Sequence, residues 1–299
     1  MPKATSTSFS TSRSADRLPT FTRFAAIDWS GAKGRRHKGI AVAVCEAGDG
    51  APRLVERDRP WSRSEVLDWL LETAGEAPTL YGFDFSYAPP IAERGAYLPG
   101  DVTADDAKSF WAYVDDMCDD EDLGAATFLE QHHRRHFYFG AADGTKADFL
   151  HHRVCEHAFN RTGGGKASTL YDAIGAAQVA KASYAGMRLL HRLAGKVPVW
   201  PMDPLPASGS LVVEIYTRVF IRLAGLSGRK VRNVAMLGEA LAGLGSRASG
   251  MADAPNDHET DVLIAAAALR AIAADPSYWQ PTELTPALAR TEGWTFGVR

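Results

Sequence analysis

The N-terminal part of the chain alternates short apolar runs with polar stretches rich in glycine. Residues 24–29 (FAAIDW) are apolar apart from Asp28 and predict a buried strand. The polar segment SGAKGRRHKG separates this run from IAVAVCE at residues 40–46, and two apolar runs around a glycine-rich connector predict a β-hairpin. Residues 52–61 (PRLVERDRPW) predict a third strand, in which Leu54 has polar neighbours.

An amphipathic helix is predicted after these strands. In SRSEVLDWLLETAG, residues 62–75, the apolar side chains recur at helical spacing, a serine at the start can cap the helix and Gly75 can end it. The next run, TLYGFDFSYAPP at residues 79–90, predicts a fourth strand that two prolines terminate. Because a helix crosses over between them, we expect this strand to lie parallel to an earlier one.

The pattern changes between about residues 91 and 208, where acidic, His-rich and helical segments predict a mostly helical insertion. SLVVEIYTRVF, at residues 210–220, predicts a further strand, and residues 231–245 and 256–274 predict two helices. The order predicts an α/β fold with a mixed sheet, three antiparallel strands and then parallel ones, flanked by helices. We expect one domain over residues 23–299.

Composition narrows the class of protein. The 299 residues carry a net charge of -3, a balance that counts mildly against binding bulk duplex by neutralising phosphates. The 3 cysteines are far apart, so a reducing cytoplasmic environment is expected rather than a disulfide framework. The apolar runs are too short to cross a membrane. Residues 1–22, rich in Ser and Thr, fit a disordered tail or an organelle transit peptide, and we favour the tail.

Single acidic residues interrupt several of the apolar segments. Asp28, Asp84 and Glu214 each lie in a predicted strand, and Asp261 lies on the apolar face of the last long helix, with Asp257 one turn earlier. Buried carboxylates without partners are strongly disfavoured. If these acids converge, their repulsion favours protonation or the binding of cations, and oxygen ligands suit Mg²⁺ or Mn²⁺. The pattern therefore predicts a carboxylate site that holds two such ions.

Each acid also has a purely structural explanation. An aspartate at a strand end can accept hydrogen bonds from turn amides, and Glu214 can pair with a buried arginine. Asn256 with Glu259 three residues later matches a capping box, which explains part of the last helix without any function.

Four segments together resemble the domain-of-unknown-function family 429, a predicted nuclease group with a ribonuclease H-like fold. They are AAIDWSG, YGFDFSYAPP, VVEIYTR and DHETDVLIAAAAL, and the resemblance spans about residues 24–273. It implies that Asp28, Asp84 and Asp261 bind catalytic metal ions, with Asp257 or Glu214 as a further ligand. The sequence departs from the family at Thr217, where a proline commonly follows the tyrosine.

Two basic segments offer further candidates. Lys33, Arg35 and Arg36 follow Asp28 and would suit a phosphate, but we favour a solvated hairpin loop. His132 and His136 have metal-ligand spacing on a helix, but the two arginines between them favour a solvated basic face.

The leading hypothesis is a divalent-metal-dependent nuclease or phosphodiester hydrolase in which Asp28, Asp84 and Asp261 are catalytic. Its substrate would be a nucleic acid or a small phosphorylated molecule. One alternative is a phosphotransferase of the actin and sugar-kinase-like superfamily, although no second copy of AAIDWSG is present. Another is a non-catalytic binding module on the same fold. The sequence indicates neither the oligomeric state nor the role of the His- and Arg-rich insertion.

Overall fold

A computed structural model describes residues 18–174, 179–251 and 255–299 of the chain. Its centre is a 6-stranded mixed sheet in the order β3-β2-β1-β4-β6-β5. The strands are β1 (Arg23–Asp28), β2 (Ala41–Glu46), β3 (Arg53–Leu54), β4 (Thr79–Asp84), β5 (Val199–Trp200) and β6 (Leu211–Glu214). The predicted α/β class and mixed sheet are confirmed.

The strand directions follow from the connections. β1, β2 and β3 pair antiparallel, as the two short connections require. A helix then carries the chain across the sheet, so that β4 pairs parallel with β1, and β6 pairs parallel with β4. The edge strand β5, which the sequence pattern did not predict, pairs parallel with β6.

The helices begin where the sequence supplies caps. Ser62 and Glu65 form a capping box at the start of α1, and Asn256 and Glu259 form the expected one at α7. The helices of the described residues are α1 (Arg63–Glu76), α2 (Ala107–Asp116), α3 (Val154–Phe159), α4 (Val179–Leu193), α5 (Thr217–Leu223), α6 (Val234–Gly243), α7 (Asp257–Ile272), α8 (Pro276–Trp279) and α9 (Pro286–Thr291). None of the helices within the described ranges is both long and apolar enough to cross a bilayer.

Two apolar cores lie on opposite faces of the sheet, which makes three layers. One face packs against α5, α6, α7 and the C-terminal residues, and the other packs against α1, α2 and α4. Alternate residues of each strand enter alternate cores, so that Ala26 and Leu80 face α7 whereas Ile27 and Phe83 face the opposite way. Burial on both faces explains why these strands lack a polar alternation.

Three details differ from the sequence-based expectations. The strand predicted over residues 210–220 ends at Glu214, and α5 begins at Thr217. Residues 128–149 form short π-helical and 3₁₀ turns instead of regular helices. The predicted tail overlaps the described residues only at 18–22, where Phe21 is buried against Trp279; residues 1–17 lie outside the described ranges.

Gly82 permits the close approach of β4 and α7, and its replacement tests this packing. A Cβ atom there would lie 2.6 Å from Ile215 Cγ2 and 2.9 Å from Leu269 Cδ1. We expect Gly82→Ala to lower the free energy of unfolding by about 1–3 kcal/mol, because the buried contact is overpacked. Urea denaturation would measure the loss.

Gly75 offers a matched control for this substitution. It lies in α1, and a Cβ atom there would meet no atom within 4 Å. Gly75→Ala should raise the free energy of unfolding by about 0.5–1 kcal/mol, because alanine favours the helix. Equal effects of the two substitutions would contradict the proposed packing of α7 on β4.

Candidate functional site

Asp28 and Asp84 lie side by side at the carboxyl ends of β1 and β4. The parallel register pairs Asp28 with Asp84 directly, so both side chains leave the same face of the sheet. Each carboxylate has a neutral hydrogen-bond donor. The Trp29 backbone N–H donates to Asp28 Oδ1 at 2.9 Å, and the Thr217 hydroxyl donates to Asp84 Oδ2, also at 2.9 Å. The strand register thus brings together two of the residues predicted from sequence.

The N-terminal turns of α7 supply the remaining members of the cluster. Asp261 is half-buried and lines the same cleft as Asp28 and Asp84. Asp257 is exposed one turn earlier and pairs with Lys230, whose Nζ lies 2.5 Å from Asp257 Oδ2. His258 Nδ1 lies 2.5 Å from Asp28 Oδ2. The predicted cluster therefore assembles from β1, β4 and α7.

The carboxylates of this cluster are poorly compensated. Burial raises the pKa of Asp84 to about 8, and the charges of Asp28 and Asp261 act in the same direction. Burial raises the pKa of Asp261 to about 7, together with the charges of Asp28 and Asp257. The hydrogen bond to Asp28 raises the pKa of His258. The protein itself thus supplies little positive charge to Asp84 and Asp261.

Glu214 takes a different place from the one that the sequence pattern suggested. Its register partner on β4 is Phe83 and not Asp84, so its side chain leaves the opposite face of the sheet. Arg153 binds both of its carboxylate oxygens, at 2.5 and 2.7 Å. The Thr295 hydroxyl and the Tyr87 backbone N–H donate to it as well, at 2.6 and 2.8 Å. Because a buried arginine already neutralises Glu214, Glu214 does not need a metal ion as a partner.

The cluster opens into a cleft of about 980 Å³ whose walls carry opposite charges. Five Lys and Arg side chains line it: Arg153, Arg218, Arg222, Arg229 and Lys230. Arg218 and Arg222 lie one turn apart on α5, directly after the strand of Glu214, and neither forms an ion pair with any of the described residues. Their helical spacing is visible in the sequence, but only the packing of α5 shows that they line the same cleft as the acids.

The structure does not bring Lys33, Arg35 and Arg36 to this cleft. Each already pairs with an acid: Lys33 with Glu130 at 2.8 Å, Arg35 with Glu121 at 3.9 Å, and Arg36 with both oxygens of Glu65. The loop turns away from Asp28, and these cations stabilise contacts with the insertion and α1. The solvated-loop interpretation fits their positions better than a phosphate contact near the acids.

A second group lies away from the cleft, in the insertion. Ligand atoms of Asp101, His133 and His136 all lie within 4.8 Å of one another, the one set of three in the described ranges that meets this spacing, so the chain can hold a metal there. The acids of the cleft therefore stand farther apart than a preformed metal site requires. Of the pair singled out from the sequence, His132 is exposed with Arg135, as a solvated basic face requires, but His136 is buried, as is His133.

Comparison with known proteins found no similar protein. No protein-family model, curated protein or solved structure matches the chain.

The raised pKa values predict how stability depends on pH. An aspartate in the unfolded chain has a pKa near 3.9, so folding with Asp84 and Asp261 ionised becomes more costly as the pH rises from about 4 to about 8. With a metal chelator present, Asp84→Asn should be more stable than the parent by roughly 1–3 kcal/mol near pH 8.5. Near pH 4 the difference should vanish.

Chemical denaturation at several pH values would measure this difference. Asp68→Asn, at an exposed position of α1, is a matched control and should leave the pH dependence unchanged. A constant stability difference between Asp84→Asn and the parent from pH 4 to pH 8.5 would contradict the electrostatic account.

Proposed function

We propose that the protein is a divalent-metal-dependent phosphodiester hydrolase of the ribonuclease H-like type, as the resemblance to family 429 implies. The observation that carries the proposal is the direct pairing of Asp28 with Asp84 at adjacent strand ends, with Asp261 of α7 lining the same cleft. Uncompensated oxygen donors of this kind suit Mg²⁺ or Mn²⁺. Binding of two ions would draw the three carboxylates together and offset their repulsion.

Each residue has a role that follows from its position. Asp28, Asp84 and Asp261 would hold the ions, with Asp257 as an additional ligand. The chemistry that the bound ions supply is activation of a water molecule and stabilisation of the leaving oxygen. Thr217 orients Asp84 through its hydroxyl, a contact that the proline common at this position in the family could not make.

His258 is the group best placed to hold a proton beside the acids. Its Nδ1 contacts Asp28, and about half of its side chain is exposed, which leaves the ring accessible from the cleft. An imidazole here can exchange protons with solvent near neutral pH.

The substrate side of the cleft is defined by the basic wall. Arg218 and Arg222 of α5 line the same cleft as the acids and offer planar donors that suit phosphate oxygens. The net charge of -3 and the local character of this wall favour a substrate that threads a cleft, either a single nucleic-acid strand or a small phosphorylated molecule.

Cleavage assays test the catalytic proposal. Labelled single-stranded DNA and RNA in Mn²⁺ should be cut by the parent protein, and Asp28→Asn or Asp84→Asn should reduce the rate by at least about 100-fold, because bound ions supply several kcal/mol of charge stabilisation. Asp68→Asn should cut at the parental rate. Cleavage that survives both cluster substitutions would overturn the proposal. Nucleotide binding without cleavage would favour the phosphotransferase alternative.

The basic wall makes a separate prediction about binding. Replacing Arg218 and Arg222 by alanine should raise KM for a phosphate-bearing substrate by roughly 10-fold or more and change kcat less, since these side chains hold phosphate away from the reacting atoms. The double variant Lys33→Ala and Arg35→Ala is the control and should leave KM within about 2-fold. A larger effect of the control pair would assign the phosphate contacts to the hairpin loop instead.

A further inference from the structure

The insertion contains a compact group of three metal-ligand side chains, separate from the cleft. His133 Nδ1 lies 2.9 Å from Asp101 Oδ2, and His136 Nε2 lies 2.8 Å from the same oxygen. Both imidazoles are buried, whereas the Asp101 side chain is 21% exposed, so the group is reachable from solvent on one side. None of the three residues lines the cleft that holds Asp28 and Asp84.

Neighbouring side chains fix the orientation of His133 and Asp101. The second ring nitrogen of His133, Nε2, lies 3.0 Å from the Tyr113 hydroxyl of α2, and the ring packs against Phe128 at 4.5 Å between centroids. Arg135 binds Asp101 Oδ1, which leaves Oδ2 directed at the two imidazoles. In metal sites, the ring nitrogen or carboxylate oxygen that does not bind the metal commonly forms a hydrogen bond to a neighbouring group. That partner fixes the orientation of the ligand.

The local backbone explains why the three residues converge. His133 precedes the 3₁₀ turn Arg134–His136 and His136 is its last residue, so their three-residue spacing puts both rings on one side. Asp101 follows Gly100, whose φ of +87° reverses the chain just before α2. The spacing His-x-x-His is visible in the sequence, but the distant Asp101 is not.

We propose that Asp101, His133 and His136 bind a zinc-class divalent ion that ties the loop before α2 to the turn at residues 132–137. Two imidazole nitrogens and one carboxylate oxygen are ligands that Zn²⁺ favours, and water would complete the shell. Arg135 Nε also lies 3.2 Å from His136 Nε2, so a bound ion would replace this hydrogen bond; the Arg135 side chain is 63% exposed, and solvent screens its charge. The site is independent of the proposed catalytic ions, which oxygen-only ligands would hold.

Zinc binding by the full-length protein tests this site. The metal-free protein should take up one Zn²⁺ tightly, measured by competition with a chromogenic chelator, and its melting temperature should rise. His133→Ala and Asp101→Asn should each weaken binding by more than about 100-fold, and Tyr113→Phe should weaken it by roughly 10-fold, as for an outer hydrogen-bond partner.

Two control variants separate this site from other possibilities. His132→Ala replaces the exposed neighbour of His133, and Asp28→Asn removes the proposed catalytic ligand; both should keep the parental zinc affinity. If the parent takes up no zinc, or if His133→Ala takes up as much as the parent, the site does not exist. If His133→Ala fails to fold, X-ray absorption of the zinc-loaded parent decides, because two imidazole ligands are required.

Discussion

The parallel pairing of β1 with β4 is the constraint on which the candidate site depends. Because Asp28 and Asp84 are register partners, their carboxylates leave one face of the sheet at adjacent strand ends. A shift of one residue would send Asp84 to the opposite core, where no other acid of the cluster lies. Apolar residues on both faces of the sheet hold this register. Their burial offsets the repulsion between the two carboxylates at the edge of the core.

The chain treats its half-buried and buried acids in two different ways. Glu214 receives a bidentate arginine, a hydroxyl and a backbone amide, which together neutralise and satisfy it. Asp84 accepts a hydrogen bond from one hydroxyl, that of Thr217. The positive charges of His258 and Lys230 lower the pKa of Asp261 only in part, and it stays raised. This contrast separates an acid that the fold neutralises from acids that it leaves without a close cationic partner among the described residues. Burial alone does not separate these two kinds of acid, whereas the presence of a cationic partner does.

The two proposed metal sites follow from different ligand chemistry. The acids of the cleft offer only oxygen ligands, which suit hard cations. The group in the insertion offers two imidazoles and one carboxylate that are already in contact and oriented by neighbours. Arg218 and Arg222 of α5 line the same cleft as these acids. Catalysis and stabilisation of the insertion would therefore use separate metals.

Local pattern was sufficient for five of the six strands, for the capped helices α1 and α7, and for locating acids inside apolar segments at positions 28, 84 and 261, because apolar periodicity and capping act within a few residues. It was insufficient for Glu214, for the loop of Lys33, Arg35 and Arg36, and for the pairing of Asp101 with His133 and His136. Those outcomes depend on strand register and on partners far away in sequence, such as Arg153, Glu65 and Asp101 itself. The amino-acid pattern determines which side chains carry charge into the apolar interior; the tertiary packing decides which charges meet, because Coulomb forces depend on distances in space.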